Sequence, residues 1–256
     1  MRGDSALEAI MKRDRVVVLT GLAGATTVAW IYLGVAAVGM AEMPAAMAQM
    51  KPWGAADLSL MFLMWAVMMA GMMVPTAAPM ILLFALVHRK SRADGGPFIP
   101  AGVFALGYVL VWTAFSLIAA ALQWRLNAAA LLSPMIVSTS AVLGGVLFLA
   151  AGAYEWTPLK HACLKHCRSP FQFIMHRRRA GTAGALRMGL EHGAYCLGCC
   201  WVLMGLLFVG GVMNLLWVAA ISVFVLAEKA APRGDWAARL SGAAMAAAGV
   251  FLLLSA

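Results

Sequence analysis

Apolar residues along this chain fall in long runs that are separated by short polar and charged segments. Seven runs can be drawn, at residues 16–39, 59–87, 99–122, 138–156, 193–211, 214–229 and 236–255. A helix needs about 20 mainly apolar residues to cross a bilayer, and its backbone groups must be hydrogen-bonded within the segment. The pattern therefore predicts an all-α fold: a polytopic transmembrane bundle of about seven helices, forming a single integral membrane domain over residues 1–256.

Charged residues are sparse and unevenly distributed. They make up 11% of the 256 residues, against about 25% in soluble domains, and the mean hydropathy is +0.89. Lys and Arg are concentrated in alternate connections, most of all in residues 157–192. By the positive-inside rule this distribution predicts a cytoplasmic N-terminus, a basic cytoplasmic connection at 157–192 and a C-terminus outside. The net charge of +9 then reflects topology. We therefore expect the protein to reside in the lipid bilayer and not to bind nucleic acid.

The second apolar run is rich in methionine. Its residues 61–80 read MFLMWAVMMAGMMVPTAAPM, and eleven of the chain's nineteen methionines lie between Met40 and Met80. At about 100° per residue, the methionines of this helix share roughly half of its circumference; they are Met61, Met64, Met68, Met69, Met72, Met73 and Met80. Pairs with MxxM spacing precede it, at Met40, Met43, Met47 and Met50. Methionine often fills gaps between helices, but its soft, neutral sulfur also suits Cu(I), so both interpretations stay open.

The five cysteines lie in two segments, both predicted at the cytoplasmic face. The first reads PLKHACLKHC and holds Cys163 and Cys167, and the second reads EHGAYCLGCC and holds Cys196, Cys199 and Cys200. Residues four apart share one face of a helix. Because the cytosol keeps thiols reduced, these patterns favour a metal site over a disulfide. The soft thiolates suit Cu(I), while a structural zinc site formed by the two Cys pairs is the alternative.

Other polar side chains near the cysteines are weaker candidates for metal ligands. They are His161, His166, His192, Glu155 and Glu228. Nearby cations, namely Lys160, Lys165 and Arg168, are expected to favour the thiolate form that binds metal. The sequence contains no Walker loop, GxSxG elbow, HExxH pair or dinucleotide fingerprint. We therefore expect no catalytic residues and no enzymatic activity.

An ordered series of motifs carries a family resemblance. The motifs are MWAVMMAGMMVPTAAPM (64–80), YEWTPLKHACLKHCRSP (154–170), GAYCLGCCWVLM (193–204), GVMNLLW (211–217) and AEK (227–229). Together they resemble the DUF2182 family of predicted metal-binding integral membrane proteins, which includes a membrane copper chaperone associated with a bacterial tyrosinase. The resemblance covers about residues 60–230. It implies copper handling in a bacterial inner membrane, and it carries over to five methionines of the second helix (Met64, Met68, Met69, Met72 and Met73) and to all five cysteines.

These observations predict a copper chaperone or transfer protein that handles Cu(I) through Met and Cys ligands. Its partners would be a copper-dependent enzyme or a periplasmic copper carrier. The alternative is a membrane scaffold with a structural zinc site, in which the methionine helix only packs. A membrane redox protein that uses CxxC as a dithiol is a third interpretation, which the absence of a cofactor motif disfavours.

Overall fold

The described part of the protein is built from helices. The computed structural model describes residues 2–42, 54–93, 99–132, 137, 140–177, 179, 181–231 and 234–255. Its helices are α1 (Arg2–Ala41), α2 (Ala55–Ala93), α3 (Ala101–Ala128), α4 (Ala141–Glu155), α5 (Pro158–Arg168), α6 (Pro170–Arg177), α7 (Gly181–Gly205), α8 (Leu207–Gly210), α9 (Leu215–Ala230) and α10 (Gly234–Leu254). This architecture confirms the predicted all-α class.

Each of the seven predicted apolar runs forms helix, but the helices differ in length. Within the described residues, five segments are long and apolar enough to cross a membrane: Arg15–Met40, Ala56–Arg89, Ala101–Ala128, Gly181–Gly210 and Ala237–Leu254. Helices α4 and α9 have 15 and 16 residues, which is shorter than the usual length of a transmembrane helix. Helix α4 passes the same test together with α5, which follows it at a bend of 65°.

The bend between α4 and α5 follows from local sequence. Thr157 is the N-cap of α5, and its hydroxyl oxygen accepts a hydrogen bond from the backbone N–H of Lys160 at 3.3 Å. Pro158 occupies the start of α5, where its missing N–H costs no helical hydrogen bond. This cap starts a new helix directly after the end of α4. The axis of α5, the helix that contains Cys163 and Cys167, therefore differs in direction from that of α4.

Helices α3 and α7 cross at glycines. A Cβ atom placed on Gly107 of α3 would overlap the backbone of Leu186, and one on Gly189 of α7 would overlap the backbone of Phe104. Small residues allow such close approach, because helices in membranes associate through packing at short distance. The crossing fixes α7, which holds three cysteines, against α3.

Most of the described part of the region predicted as a basic connection, residues 157–192, is helical. It comprises α5, α6 and the first half of α7, so the fifth predicted apolar helix begins at Gly181 and not at residue 193. The earlier start was missed because Arg187 and Glu191 interrupt the apolar pattern. These two side chains form an ion pair four residues apart, at 3.3 Å, which is compatible with a helix surface.

Candidate metal site

The methionines of α2 face the protein interior. Met64, Met68, Met69, Met72, Met73 and Met80 are buried, whereas Met61 is partly buried. The side chain of Trp65 lies among them, fully buried, and its indole N–H donates to the Gln123 side-chain oxygen at 2.6 Å. The predicted one-sided distribution is therefore present, and it is directed at the core. Met40 is half-buried in the last turn of α1, while Met43, Met47 and Met50 lie outside the described residues.

The fold brings the two cysteine segments together. Helix α5 packs along α7, and Cys163 lies against Gly198, where a Cβ atom would come within 2.7 Å of its sulfur. One turn later, Cys167 lies near the Cys196 and Cys199 side chains. The thiols of Cys199 and Cys200 each donate to the carbonyl oxygen of Cys196 at 3.0 Å. The five cysteines thus form one sulfur cluster on α5 and α7, composed of Cys163, Cys167, Cys196, Cys199 and Cys200.

Cys196 links the sulfur cluster to the methionine helix. Its sulfur is 3.0 Å from the Tyr108 hydroxyl, which also donates to the Met73 carbonyl oxygen at 2.9 Å. The Lys229 ammonium donates both to the Cys196 sulfur, at 2.9 Å, and to the Thr76 hydroxyl oxygen, at 2.8 Å. Two side chains, from α3 and α9, therefore connect Cys196 with the middle of α2.

Two cations near Cys163 and Cys167 form hydrogen bonds with glutamates and not with the cysteines. Lys160 is fully buried, and its ammonium donates to Glu155 and to both Glu228 carboxylate oxygens, the latter at 2.9 Å. The Arg168 guanidinium donates to the Glu228 backbone carbonyl at 2.9 and 2.6 Å. These contacts correct the expectation that Lys160 and Arg168 assist the thiolates, and Lys165 is exposed. Among the described residues, Lys229 is the cation whose hydrogen bond to a cysteine sulfur is seen.

The two acidic candidates belong to a buried ionic triad with Lys160. Glu155 is fully buried and Glu228 is 5% exposed. The second carboxylate oxygen of Glu155 has no hydrogen-bond partner among the described residues. The triad joins the end of α4, the start of α5 and the end of α9, so it holds the cysteine-bearing helix α5 in place.

The histidine candidates have different surroundings. His161 is partly buried on α5, and the ring of His166 stacks on Tyr195 with a centroid distance of 4.1 Å. His192 is buried within α7, one turn before Cys196, among the rings of Phe104, Tyr108 and Phe173. Its Nδ1 atom has no hydrogen-bond partner in the described part of the chain. His192 thus lies on the same face of α7 as Cys196.

The donor set of the cluster is soft. Thiolates and thioethers select Cu(I) and other soft ions, whereas hard ions prefer oxygen ligands. Over the residues that the structure describes, no three or more His, Cys, Asp or Glu side chains form a group that could hold a metal ion as they stand. The sulfurs instead make polar contacts with one another, with Tyr108 and with Lys229.

Sequence reasoning missed four residues that shape this cluster. They are Thr76, Tyr108, Gly198 and Lys229. Three of them had a signal: Thr76 lies inside the methionine-rich motif of residues 64–80, Gly198 lies inside the CLGC motif, and Lys229 ends the AEK motif. Tyr108 had none, because an isolated hydroxyl within an apolar helix is common and its partner is set by helix packing.

Comparison with known proteins shows the family of the chain. The family model described as PpoB2, copper chaperone, matches residues 62–252, and this family is of the DUF2182 type. The matched region runs from the methionine helix to the last helix and includes every cysteine. No curated protein and no solved structure matches the chain.

Proposed function

Because the chain belongs to the PpoB2 copper chaperone family, we propose that it binds Cu(I) through sulfur and passes the ion on to a copper protein. In this proposal the sulfur cluster holds the ion tightly, through Cys196 with Cys167, Cys199, Cys163 and Cys200 around it. The methionine face of α2 (Met64, Met68, Met69, Met72 and Met73) supplies weaker thioether ligands. Copper is the cargo of the protein, and no catalytic step is involved.

The observation that carries the proposal is the connection between Cys196 and the backbone of the methionine-bearing helix α2. Tyr108 contacts the Cys196 sulfur and the Met73 backbone at the same time, at 3.0 and 2.9 Å. A copper ion that leaves Cys196 toward α2 would meet neutral thioethers that are already buried in the same core. Thioether sulfur never needs to be deprotonated and binds less tightly than thiolate, which suits a ligand that must release its ion.

Several weaker candidate ligands lie near the sulfur cluster or extend the methionine face of α2. His192 lies one turn from Cys196 with an unpartnered Nδ1, so it could complete the coordination of an ion at the sulfur cluster. Met61 and Met40 extend the methionine ligands beyond the buried face, and Met43, Met47 and Met50 would continue them outside. His161 and His166 lie next to Cys163 and Cys167 on α5, where they would receive or deliver the ion. Glu155 and Glu228 support α5 through Lys160.

The proposed setting is a bacterial inner membrane with a cytoplasmic N-terminus. The sequence has seven apolar runs, five of which contain described helices long enough to cross a membrane. These runs and the alternation of Lys and Arg between their connections support the proposed setting. The sulfur cluster would then lie toward the cytoplasmic side and the start of α2 toward the outside. A copper-dependent enzyme, or a periplasmic copper carrier, would take the ion there.

Substitutions that separate the two sulfur types test the proposal. Replacing Met64, Met68 and Met72 with Leu should lower the number of Cu(I) ions bound per chain while the protein still folds, because each exchange of Met for Leu costs less than about 1.5 kcal/mol. Cys196→Ser should weaken the tightest Cu(I) site about tenfold or more, as loss of a supporting metal contact does elsewhere. Competition with a Cu(I) chelator and elemental analysis of the purified protein in detergent measure both effects.

The control is a second triple variant in which Met175, Met213 and Met245, none of them on α2, become Leu. It should bind copper as the wild-type protein does. If both triple variants keep full copper binding, the methionine face serves packing only. If Cys196→Ser also keeps its tight site, the proposal fails.

A further inference from the structure

Lys229 places a positive charge directly at the sulfur cluster. Its ammonium donates to the Cys196 sulfur at 2.9 Å, and its second contact, with Thr76 at 2.8 Å, anchors it to α2. The side chain is only partly exposed, at the end of a helix whose other ionic residue, Glu228, pairs with Lys160. Among the described residues, no carboxylate forms an ion pair with Lys229, and its ammonium donates to the Cys196 sulfur.

The hydrogen bonds around Cys196 distinguish its sulfur from its neighbours. Cys199 and Cys200 each use their S–H group to donate to the Cys196 carbonyl. The Cys196 sulfur accepts from Lys229 at 2.9 Å and lies 3.0 Å from the Tyr108 hydroxyl. The Cys196 sulfur therefore accepts a hydrogen bond from a cation, whereas the thiols of Cys199 and Cys200 donate to a backbone carbonyl.

Charge counting then favours one class of ion. A monovalent ion held by two thiolates has a net charge of −1, and one ammonium balances it. A divalent ion held by the same two thiolates is already neutral, so the ammonium leaves the group at +1. An uncompensated charge away from water costs free energy, because charges lose their hydration when they are buried. A buried site with one fixed lysine therefore matches the monovalent case.

We propose that Lys229 is the charge-balancing residue of the metal site and that it selects a monovalent soft cation held by Cys196 and one further cysteine, Cys167 or Cys199. This inference rests on the proposed function and adds the basis of selectivity against divalent ions. Neutral thioether or imidazole ligands can join without altering the charge. Lys229 acts through the charge of the complex and is a positioning residue, not a ligand.

The test compares variants that separate charge from hydrogen bonding. Lys229→Arg keeps the charge, Lys229→Gln keeps hydrogen-bond donors without charge, and Lys229→Met keeps the stem without either. Lys165→Gln, at an exposed position of α5, is the matched control. Purified protein in detergent is equilibrated with Ag(I) and Zn(II) together, and the ratio of bound silver to bound zinc is measured by elemental analysis.

The wild-type, Lys165→Gln and Lys229→Arg proteins should share a strong preference for silver. Lys229→Gln and Lys229→Met should lower the ratio of bound silver to bound zinc about tenfold or more, because loss of the charge disfavours the monovalent complex and favours the divalent one. A purely structural role would lower both metals together and leave the ratio unchanged.

The outcomes for this inference and for the proposed function are distinct. If the wild-type protein binds neither Ag(I) nor Cu(I), the proposed function itself fails. If it binds them and either neutral variant that folds keeps the wild-type ratio, the role of Lys229 is refuted while the copper function stands. If Lys229→Gln alone keeps the ratio, hydrogen bonding and not charge is responsible, and the inference is overturned.

Discussion

At the scale of single residues, Lys160 is a fully buried cation that depends on two acidic partners. Its ammonium is buried between Glu155 and Glu228, with all three side chains at most 5% exposed. Sequence alone identified both acids as candidates but gave no partner for them, since they are 73 residues apart in the chain. Burying a charge is tolerated when it is paired and hydrogen-bonded. The triad therefore explains why two acids occur at the ends of apolar helices.

Removing the lysine should be costly. Lys160→Met leaves two buried carboxylates without their cation, and breaking a buried ion pair in this way costs about 3–5 kcal/mol. The expected result is a large fall in the unfolding temperature in detergent. Lys165→Met, an exposed change of the same type one turn away on α5, should alter stability by about 0.5 kcal/mol or less. Equal unfolding temperatures for the two variants would show that the triad does not hold α5.

At the scale of elements, helix packing positions the site. The sulfur cluster forms where α5 lies along α7, and Cys196 meets the Tyr108 side chain because α3 crosses α7 at Gly107 and Gly189. Neither glycine was identified from sequence as special, because a glycine in an apolar helix looks the same whether or not another backbone approaches it.

The crossing gives a direct prediction. Gly107→Ala introduces a Cβ into the backbone of α7, and overpacking of this kind costs about 1–3 kcal/mol. It should lower the unfolding temperature and also weaken Cu(I) binding, because Tyr108 and Cys196 move apart. Gly102→Ala, in the same helix with no atom within 4 Å of the new Cβ, is the control and should be neutral or slightly stabilising. Thermal unfolding with and without Cu(I) measures both, and similar losses in the two variants would contradict this account.

At the scale of the whole molecule, the sequence predicted the class of fold, which the structure confirms, and it offered sulfur-bearing residues as the candidate site. The apolar runs were long enough to identify helices, and the methionine face that periodicity predicted on α2 is present and lies in the interior. The lengths of the helices were less certain, because charged residues such as Arg187 and Glu191 can lie on the surface of a helix that continues.

The relations between distant segments could not be read from the sequence. The meeting of Cys167 with Cys196, and of Lys229 with both Cys196 and Thr76, depends on how four helices pack. The periodicity of a sequence indicates which residues share one face of a helix, but it does not indicate which neighbouring helix that face contacts. Motifs supplied part of the missing information, since AEK and CLGC contain residues that contribute to the cluster.

The most direct test of the central claim is elemental analysis of the wild-type protein after equilibration with Cu(I) and Zn(II) in competition under reducing conditions. The account predicts copper bound at the sulfur cluster, with further copper on the methionine face and little or no zinc. Zinc at the cysteines with no copper anywhere in the protein would contradict it, and would favour a zinc-stabilised membrane scaffold in its place.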